Sequence, residues 1–276
     1  MDEISEARTG PAAERVEAEF MFAYEALAPA PVRAELGIAT SRIGGGVALS
    51  VRNDPTRYWS KAVGFTDAVT SDLVAELVDF YRANNDTSFT LQVAPFAQPD
   101  DWPDIVARHG LVAESTLVKL ARSADPRALD PVSTATVRPM KPADADSWAR
   151  AVARGFDMPE NAVVDMAAAA VREQHPGFSA WGLIVDDRIV GGAALYVDQD
   201  VASLNSGAVL PEYRRRGGQA ALIEHRVAAA RQQGCRVLVA ETDKPAPGAV
   251  NPSLSNLLRH GFLPLYERTN WVWTRS

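Results

Sequence analysis

The tetrapeptide Arg108-His109-Gly110-Leu111 is echoed near the C-terminus by Arg259-His260-Gly261-Phe262. Each copy follows a short helical pattern and precedes a final apolar run. Upstream of each lies a Val-Ala strand end, Val93-Ala94 and Val239-Ala240. Echoes in the same order predict a duplicated fold. The 276 residues then divide into two units of ordinary domain size, and 47% hydrophobic residues are enough to give each a core.

Residues 1–10 are polar and are expected to be disordered. Val16, Phe20, Tyr24 and Leu27 recur at helical spacing, so a helix is predicted over 12–27, stopped by Pro29 and Pro31. Gly44-Gly45-Gly46 reads as a hairpin turn. A strand over 58–65, a helix over 67–82, a strand over 88–94, a short helix and a strand over 115–121 complete a first domain at 11–122. The segment 123–133 carries two prolines and little periodicity and is the expected linker.

From residue 134 the pattern restarts as the second domain, 134–276. It predicts a strand at 135–138, helices over 142–153 and 160–172, and two strands, 180–185 and 188–197, joined by an Asp186-Asp187 turn. A strand over 202–209 delivers the chain to Val209-Leu210-Pro211-Glu212-Tyr213-Arg214-Arg215-Arg216-Gly217-Gly218, and a helix over 219–233 follows. Strand 236–240, a short helix at 253–259 and a final strand over 262–273 close the chain. A basic, glycine-rich turn opening a helix suits an anion, because the first helical amides lack partners and the helix dipole is positive there. Three arginines favour a polyanion such as a pyrophosphate.

With Arg214-x-x-Gly217 after a Val-x-Pro strand end, the turn resembles the acyl-CoA signature of the GCN5-related N-acetyltransferases, the GNAT superfamily. Gln219 stands where that signature has a small residue. The run Pro252 to Phe262, with Asn256 ahead of Gly261-Phe262, resembles a later motif of the same family. The resemblance covers the second half over its whole length and the first half less specifically, as a degenerate copy without the arginine turn. It implies an α/β fold of the mixed-sheet, α+β kind: two GNAT-like domains, each a mixed, mostly antiparallel central sheet flanked by helices. It also implies acetyl-CoA as acyl donor, without a metal.

Carried over by that resemblance, the backbone of Ala208 and Val209 meets the acetyl carbonyl and pantetheine. Arg214, Arg215, Arg216, Gly217, Gly218, Gln219 and Ala220 hold the pyrophosphate, and Asn256 faces the pantetheine. The tyrosine that many members use as an acid is Leu257 here, and Tyr266 is the substitute candidate. Glu241, at the C-terminal end of its strand, is the candidate base, with a surface charge as the alternative reading. His225 and His175 are weaker candidates, the former placed beside a solvated Glu224 and Arg226. Trp148, Phe156, Met158, Met166 and Tyr196 are the expected acceptor-site residues, or ordinary core.

The net charge of −7 argues against a nucleic-acid partner. One cysteine, Cys235, excludes an intrachain disulfide, fits a reducing compartment and reads as a buried thiol. With no apolar run of membrane-spanning length and an acidic start unlike a signal peptide, a cytoplasmic protein with no membrane partner is expected. The sequence does not give the oligomeric state, and a homodimer is one possibility. The expected function is N-acetyl transfer from acetyl-CoA to a primary amine by direct attack in a ternary complex. The alternative, motivated by Gln219 and Leu257, is a non-catalytic acyl-CoA sensor or assembly protein. A nucleotide-binding domain lacks its Gly-x-x-x-x-Gly-Lys-Ser/Thr motif. The sequence does not choose among a small amine, an amino acid, an antibiotic and a protein lysine as acceptor.

Overall fold

The computed structural model of the protein describes residues 4–125 and 136–275. The chain opens with α1 (Glu6–Ala26) and α2 (Ala30–Leu36), then the strands β1 (Ile38–Ile43), β2 (Gly46–Val51) and β3 (Lys61–Val63). The helix α3 (Ser71–Ala83), β4 (Ser88–Gln92), α4 (Trp102–His109) and β5 (Val112–Ser123) complete the first half. The second half begins with β6 (Thr136–Pro139), α5 (Ala145–Gly155) and α6 (Ala162–Arg172). It continues through β7 (Phe178–Val185), β8 (Arg188–Asp198), β9 (Val201–Val209) and α7 (Gly218–Gln232). The last elements are β10 (Val237–Asp243), α8 (Pro252–Arg259) and β11 (Leu263–Thr274). Leaving β6 aside, the two halves repeat one order: two helices, three strands, helix, strand, helix, strand.

All the strands of the described residues join in one mixed sheet, ordered β1-β2-β3-β4-β11-β5-β10-β9-β8-β7-β6. The last strand of each half lies beyond its own half. β5 pairs with β10 and β11, while β11 pairs with β5 and β4. The halves are therefore consecutive in sequence but interlocked in the sheet through their exchanged final strands. The expected linker falls largely outside the described residues.

Helices cover both faces. A core built from α1, α2, α5 and α6 packs on one face. On the other, α3 and α4 cover the first half, and α7 and α8 the second. Side-chain alternation along the strands feeds both faces: Leu49 points to the α1 side while Ala48 faces α3. Among the described residues no helix is long and apolar enough to cross a membrane.

Several boundaries differ from the sequence expectation for local reasons. The first helix begins at Glu6, so residues 6–10 are helical rather than disordered, and Thr9 and Gly10 are buried. Pro29 and Pro31 end one helix by starting the next, since proline suits a helix's first turn. The strand expected over 58–65 shrinks to Lys61–Val63. Before it, the Asp54 carboxylate accepts hydrogen bonds from the amides of Thr56 and Trp59 and from the Thr56 hydroxyl, which fixes a turn. α3 starts later than expected because Thr70, not a residue near Asp67, caps it by accepting from the Leu73 amide. The Asp186-Asp187 turn forms as expected, both residues having positive φ, as a two-residue hairpin requires.

Candidate active site

β9 and β10 run parallel and pair only over Val201–Leu204 and Val237–Ala240, then diverge. Beyond that point β9 bulges. Its partners on β8 step from Ala194 to Gly192 while β9 steps from Asn205 to Ala208, and Ser206 adopts φ 52°. The splay leaves the β10-facing edge of Asn205–Gly207 without a strand partner, and there a cavity of about 790 Å³ opens. Gln219, Ile223 and Arg226 of α7 line one side, with Ser253 and Leu257 of α8. α5, α6 and α1 line the other side, together with Tyr58, Trp59 and Lys61 from the first half.

The arginine turn lies at the mouth of this splay. Gly217, at φ 76°, is the N-cap of α7, and no side chain caps the helix. The amides of Gly218, Gln219 and Ala220 therefore point out of the helix start free for an anion. The arginine side chains do not all follow. Arg214 folds inward, donating from Nε to the Val209 carbonyl (3.0 Å) and from Nη2 to the Gly155 carbonyl (2.8 Å). Arg216 donates to the Glu212 carbonyl at 3.0 Å. Arg215 is exposed and takes φ 61°, a left-handed value unfavourable for a residue with a Cβ, which the turn imposes. Arg214 thus ties the end of α5 to the strand end, and the turn's backbone supplies most of the anion site.

Gln219 reaches across the splay. Its Nε2 donates to the Gly207 carbonyl at 3.2 Å. A Cβ at Gly207 would lie 2.9 Å from that nitrogen, so a side chain there would push the Gln219 carboxamide aside.

On the α1 side of the splay, a buried ionic cluster reaches the cavity. Glu241 of β10 accepts from Lys119 of β5 at 3.0 Å and from Arg268 of β11 at 2.6 Å. Arg268 also holds Glu14 at 2.6 Å and Glu17 at 2.8 Å, both on α1, and Lys119 is bonded to Glu17. Three carboxylates face two cations. Burial raises the Glu241 pKa above the usual carboxylate range, with Glu17 and Glu14 reinforcing the rise and Arg268 and Lys119 opposing it. Glu17 is held far below its ordinary value: burial works against this, but Arg268 and Lys119 outweigh it. Glu241, which lines the cavity, is therefore the more basic of these two carboxylates.

Residues 147–251, from α5 through β10, match the acetyltransferase (GNAT) family model. These residues form a GNAT domain. No curated protein matches the sequence. Among solved structures, a GCN5-related N-acetyltransferase from Kribbella flavida is similar over 96% of both chains, with 16% identity and a TM-score of 0.61. A tandem GNAT protein from the clavulanic acid biosynthesis pathway is similar over 95% of this chain and 96% of its own, with 16% identity and a TM-score of 0.56. A GCN5-related N-acetyltransferase from Sphaerobacter thermophilus covers 86% of this chain and 75% of its own, with 15% identity and a TM-score of 0.58. These likenesses give the tandem GNAT fold for the whole chain.

Around this GNAT domain the expected site residues separate. Gln219, Glu241, Phe156 and Met158 line the cavity. Ala208 and Val209 are buried just past its lining, which ends at Gly207. Three other placements differ from expectation. Tyr266 is buried with its hydroxyl donating to Glu14 at 2.6 Å, away from the cavity wall, because β11 turns that ring under α1. Asn256 accepts from Arg259 on the outer side of α8, and Ser253 and Leu257 take the cavity-facing positions instead. Trp148 is core, its indole donating to the Trp181 carbonyl at 3.1 Å, and Met166 and Tyr196 pack in the same cluster.

Two readings of charge are also overturned. Glu241 is no surface charge, and Arg226 is no solvated neighbour of His225. The Arg226 guanidinium is buried on the cavity wall, donating to the carbonyls of Leu222, Ala194 and Asn205, and burial without a carboxylate lowers its pKa to about 9. The Nδ1 of His225 lies 2.9 Å from the Ala221 carbonyl. The charged residues of the cavity and its ion cluster that sequence reasoning passed over are Glu17, Lys61, Lys119, Arg226 and Arg268. Their signal was present as charges inside apolar patterns: Glu14 and Glu17 within the α1 stripe, and Lys119 within Leu117 to Ala121.

Proposed function

We propose that the protein transfers an acetyl group from acetyl-CoA to a primary amine in a ternary complex, with Glu241 as the general base. The observation that carries this reading is the coincidence of three features at one splay: free helix-start amides, a β9 edge without a strand partner, and a buried carboxylate of raised pKa on the opposite wall.

The residues suit acetyl-CoA. The amides of Gly218 to Ala220 and the exposed Arg215 would receive the pyrophosphate. The free edge of Asn205–Gly207 would hydrogen-bond the pantetheine arm, as a strand edge does. Gln219 must turn away from the Gly207 carbonyl to open that edge. The bound thioester supplies an activated acetyl group.

The chain's own part in the reaction is proton management and placement. Glu241, ionised, accepts the proton that an ammonium substrate must lose before its nitrogen can attack. Lys119 and Arg268 keep the carboxylate oriented toward the cavity. No tyrosine faces the splay from α8, where Leu257 stands. Arg226 instead presents the cation nearest the Asn205–Gly207 edge and would stabilise negative charge on the departing sulfur. Direct transfer is favoured because Cys235 is buried in the α7–α8 core, apart from the cavity lining.

The Gln219–Gly207 bond favours a second reading, a non-catalytic acyl-CoA sensor in which the closed edge restricts access. A thiol-release assay across amine classes separates the two. Acetyl-CoA binding with release of free CoA supports the transferase, and binding with no release from any amine class supports the sensor.

A further inference from the structure

The cavity continues past Glu241 into the first half, where its wall changes character. Phe20, Met21 and Tyr24 of α1 line it with Trp59, and the Tyr24 and Trp59 rings stack with centroids 5.3 Å apart and planes inclined by 6°. This is a flat apolar wall suited to an aliphatic or aromatic body.

Lys61 on β3, only 6% exposed, lines the same cavity. Its Nζ lies 3.5 Å from the Tyr58 ring centroid, and among the described residues no carboxylate forms an ion pair with it. Glu17 and Glu25 feel its charge through space, without an ion pair to it. A ring face compensates a buried ammonium far less than a carboxylate does. The contrast along the same wall is direct. Lys119 is neutralised by Glu17 and Glu241, whereas Lys61 keeps an open hydrogen-bonding head toward the cavity.

We propose that the acceptor is an amphoteric amine, an apolar amino acid or its close analogue, whose amine meets Glu241, whose body lies on the Tyr24–Trp59 wall and whose anionic group is received by Lys61. This rests on the reading of the cavity as an acetyl-acceptor site. It explains why two halves are interlocked: the first half, without an anion turn of its own, supplies the acceptor's acid-recognition group to the donor site of the second.

The test compares phenylalanine with phenethylamine, tryptophan with tryptamine, and leucine with isoamylamine, pairs that differ only in the carboxylate. Binding is measured calorimetrically on the full chain without acetyl-CoA, and CoA release is measured separately. The wild type is expected to bind the amino acid of at least one pair about tenfold or more tighter than its amine, as a charge-assisted contact gives. Lys61→Met is expected to bring that ratio close to one, and Lys61→Arg to retain it. Equal affinities in every wild-type pair, a preference retained in Lys61→Met, or no binding of any pair at millimolar concentration overturns the proposal. Carboxylate-dependent binding without CoA release keeps the recognition of an anionic group by Lys61 and removes the transferase reading, and with it the ligand's role as acceptor. CoA release indifferent to the carboxylate does the reverse.

Discussion

The Glu241 carboxylate lies 2.6 Å from the Arg268 guanidinium, yet burial and the neighbouring Glu17 keep its pKa above the ordinary carboxylate range. The guanidinium is shared: Glu14 and Glu17 also draw on it, so Glu241 receives only part of its compensation. A base is most effective when it is oriented and still basic, and the shared cation provides both conditions.

Glu241→Gln should retain acetyl-CoA binding and lower kcat with amine acceptors about 10²- to 10⁴-fold, the span of a positioned general base. In the wild type, kcat/KM should fall as pH drops through the Glu241 titration, because the protonated acid cannot accept a proton. That limb lies above the usual carboxylate pKa and should vanish in the variant. Steady-state rates across pH check both points, and an unchanged acid limb in Glu241→Gln would assign it to another group.

The turn allows its two modes of anion support to be told apart. Arg214→Ala removes hydrogen bonds to the Val209 and Gly155 carbonyls, so it should weaken CoA binding by about 1 to 2 kcal/mol through loss of loop geometry. Because neither bond is to phosphate, that loss should change little with salt. Arg215→Ala should show the opposite pattern, a smaller loss that shrinks as salt screens the exposed charge. Calorimetry at low and high ionic strength distinguishes them, and a strongly salt-dependent Arg214 effect would place its side chain on the phosphates.

Gln219→Ala should tighten acetyl-CoA binding. The wild-type side chain must give up its 3.2 Å bond to Gly207 before the β9 edge can receive a ligand, and a bond of this type is worth about 0.5 to 1.5 kcal/mol. A gain of roughly two- to tenfold in affinity is the expected outcome, with a faster association rate in stopped-flow. Weaker binding would mean that the carboxamide holds the ligand itself.

How much of this was legible in the sequence follows from what each signal measures. The Arg214–Gly217 turn and the α7 start were readable because backbone geometry there needs particular residues at fixed spacing. The duplicated order of helices and strands was readable from periodicity and the paired Arg-His-Gly echoes. The exchange of β5 and β11 was not, because strand periodicity reports which face a residue takes and not which neighbour it pairs with. The same limit hid the site. Glu14 and Glu17, Lys119, Glu241 and Arg268 come from four elements, and only strand exchange sets them side by side. Tyr266 was misplaced for that reason: its distance from Gly261 is local, but its partner, Glu14, lies at the other end of the chain.

Glu25 provides a test of stability that is separate from the site. It is fully buried on α1, and among the described residues neither carboxylate oxygen has a hydrogen-bond partner. Burial raises its pKa well above 4.5, with Asp54 reinforcing the rise and Lys61 opposing it. Below the unfolded pKa both states hold the proton and Glu25 adds no pH dependence. Between that value and the raised folded pKa the folded state binds more protons than the unfolded one, so stability falls as pH rises. The loss is about 1.4 kcal/mol for each unit of pKa difference crossed. Glu25→Gln keeps the volume and removes the titration. Urea unfolding at about pH 5 and about pH 8 should therefore show the wild type losing stability relative to Glu25→Gln at the higher pH. Parallel pH dependences in the two proteins would mean that Glu25 is solvated or paired in solution.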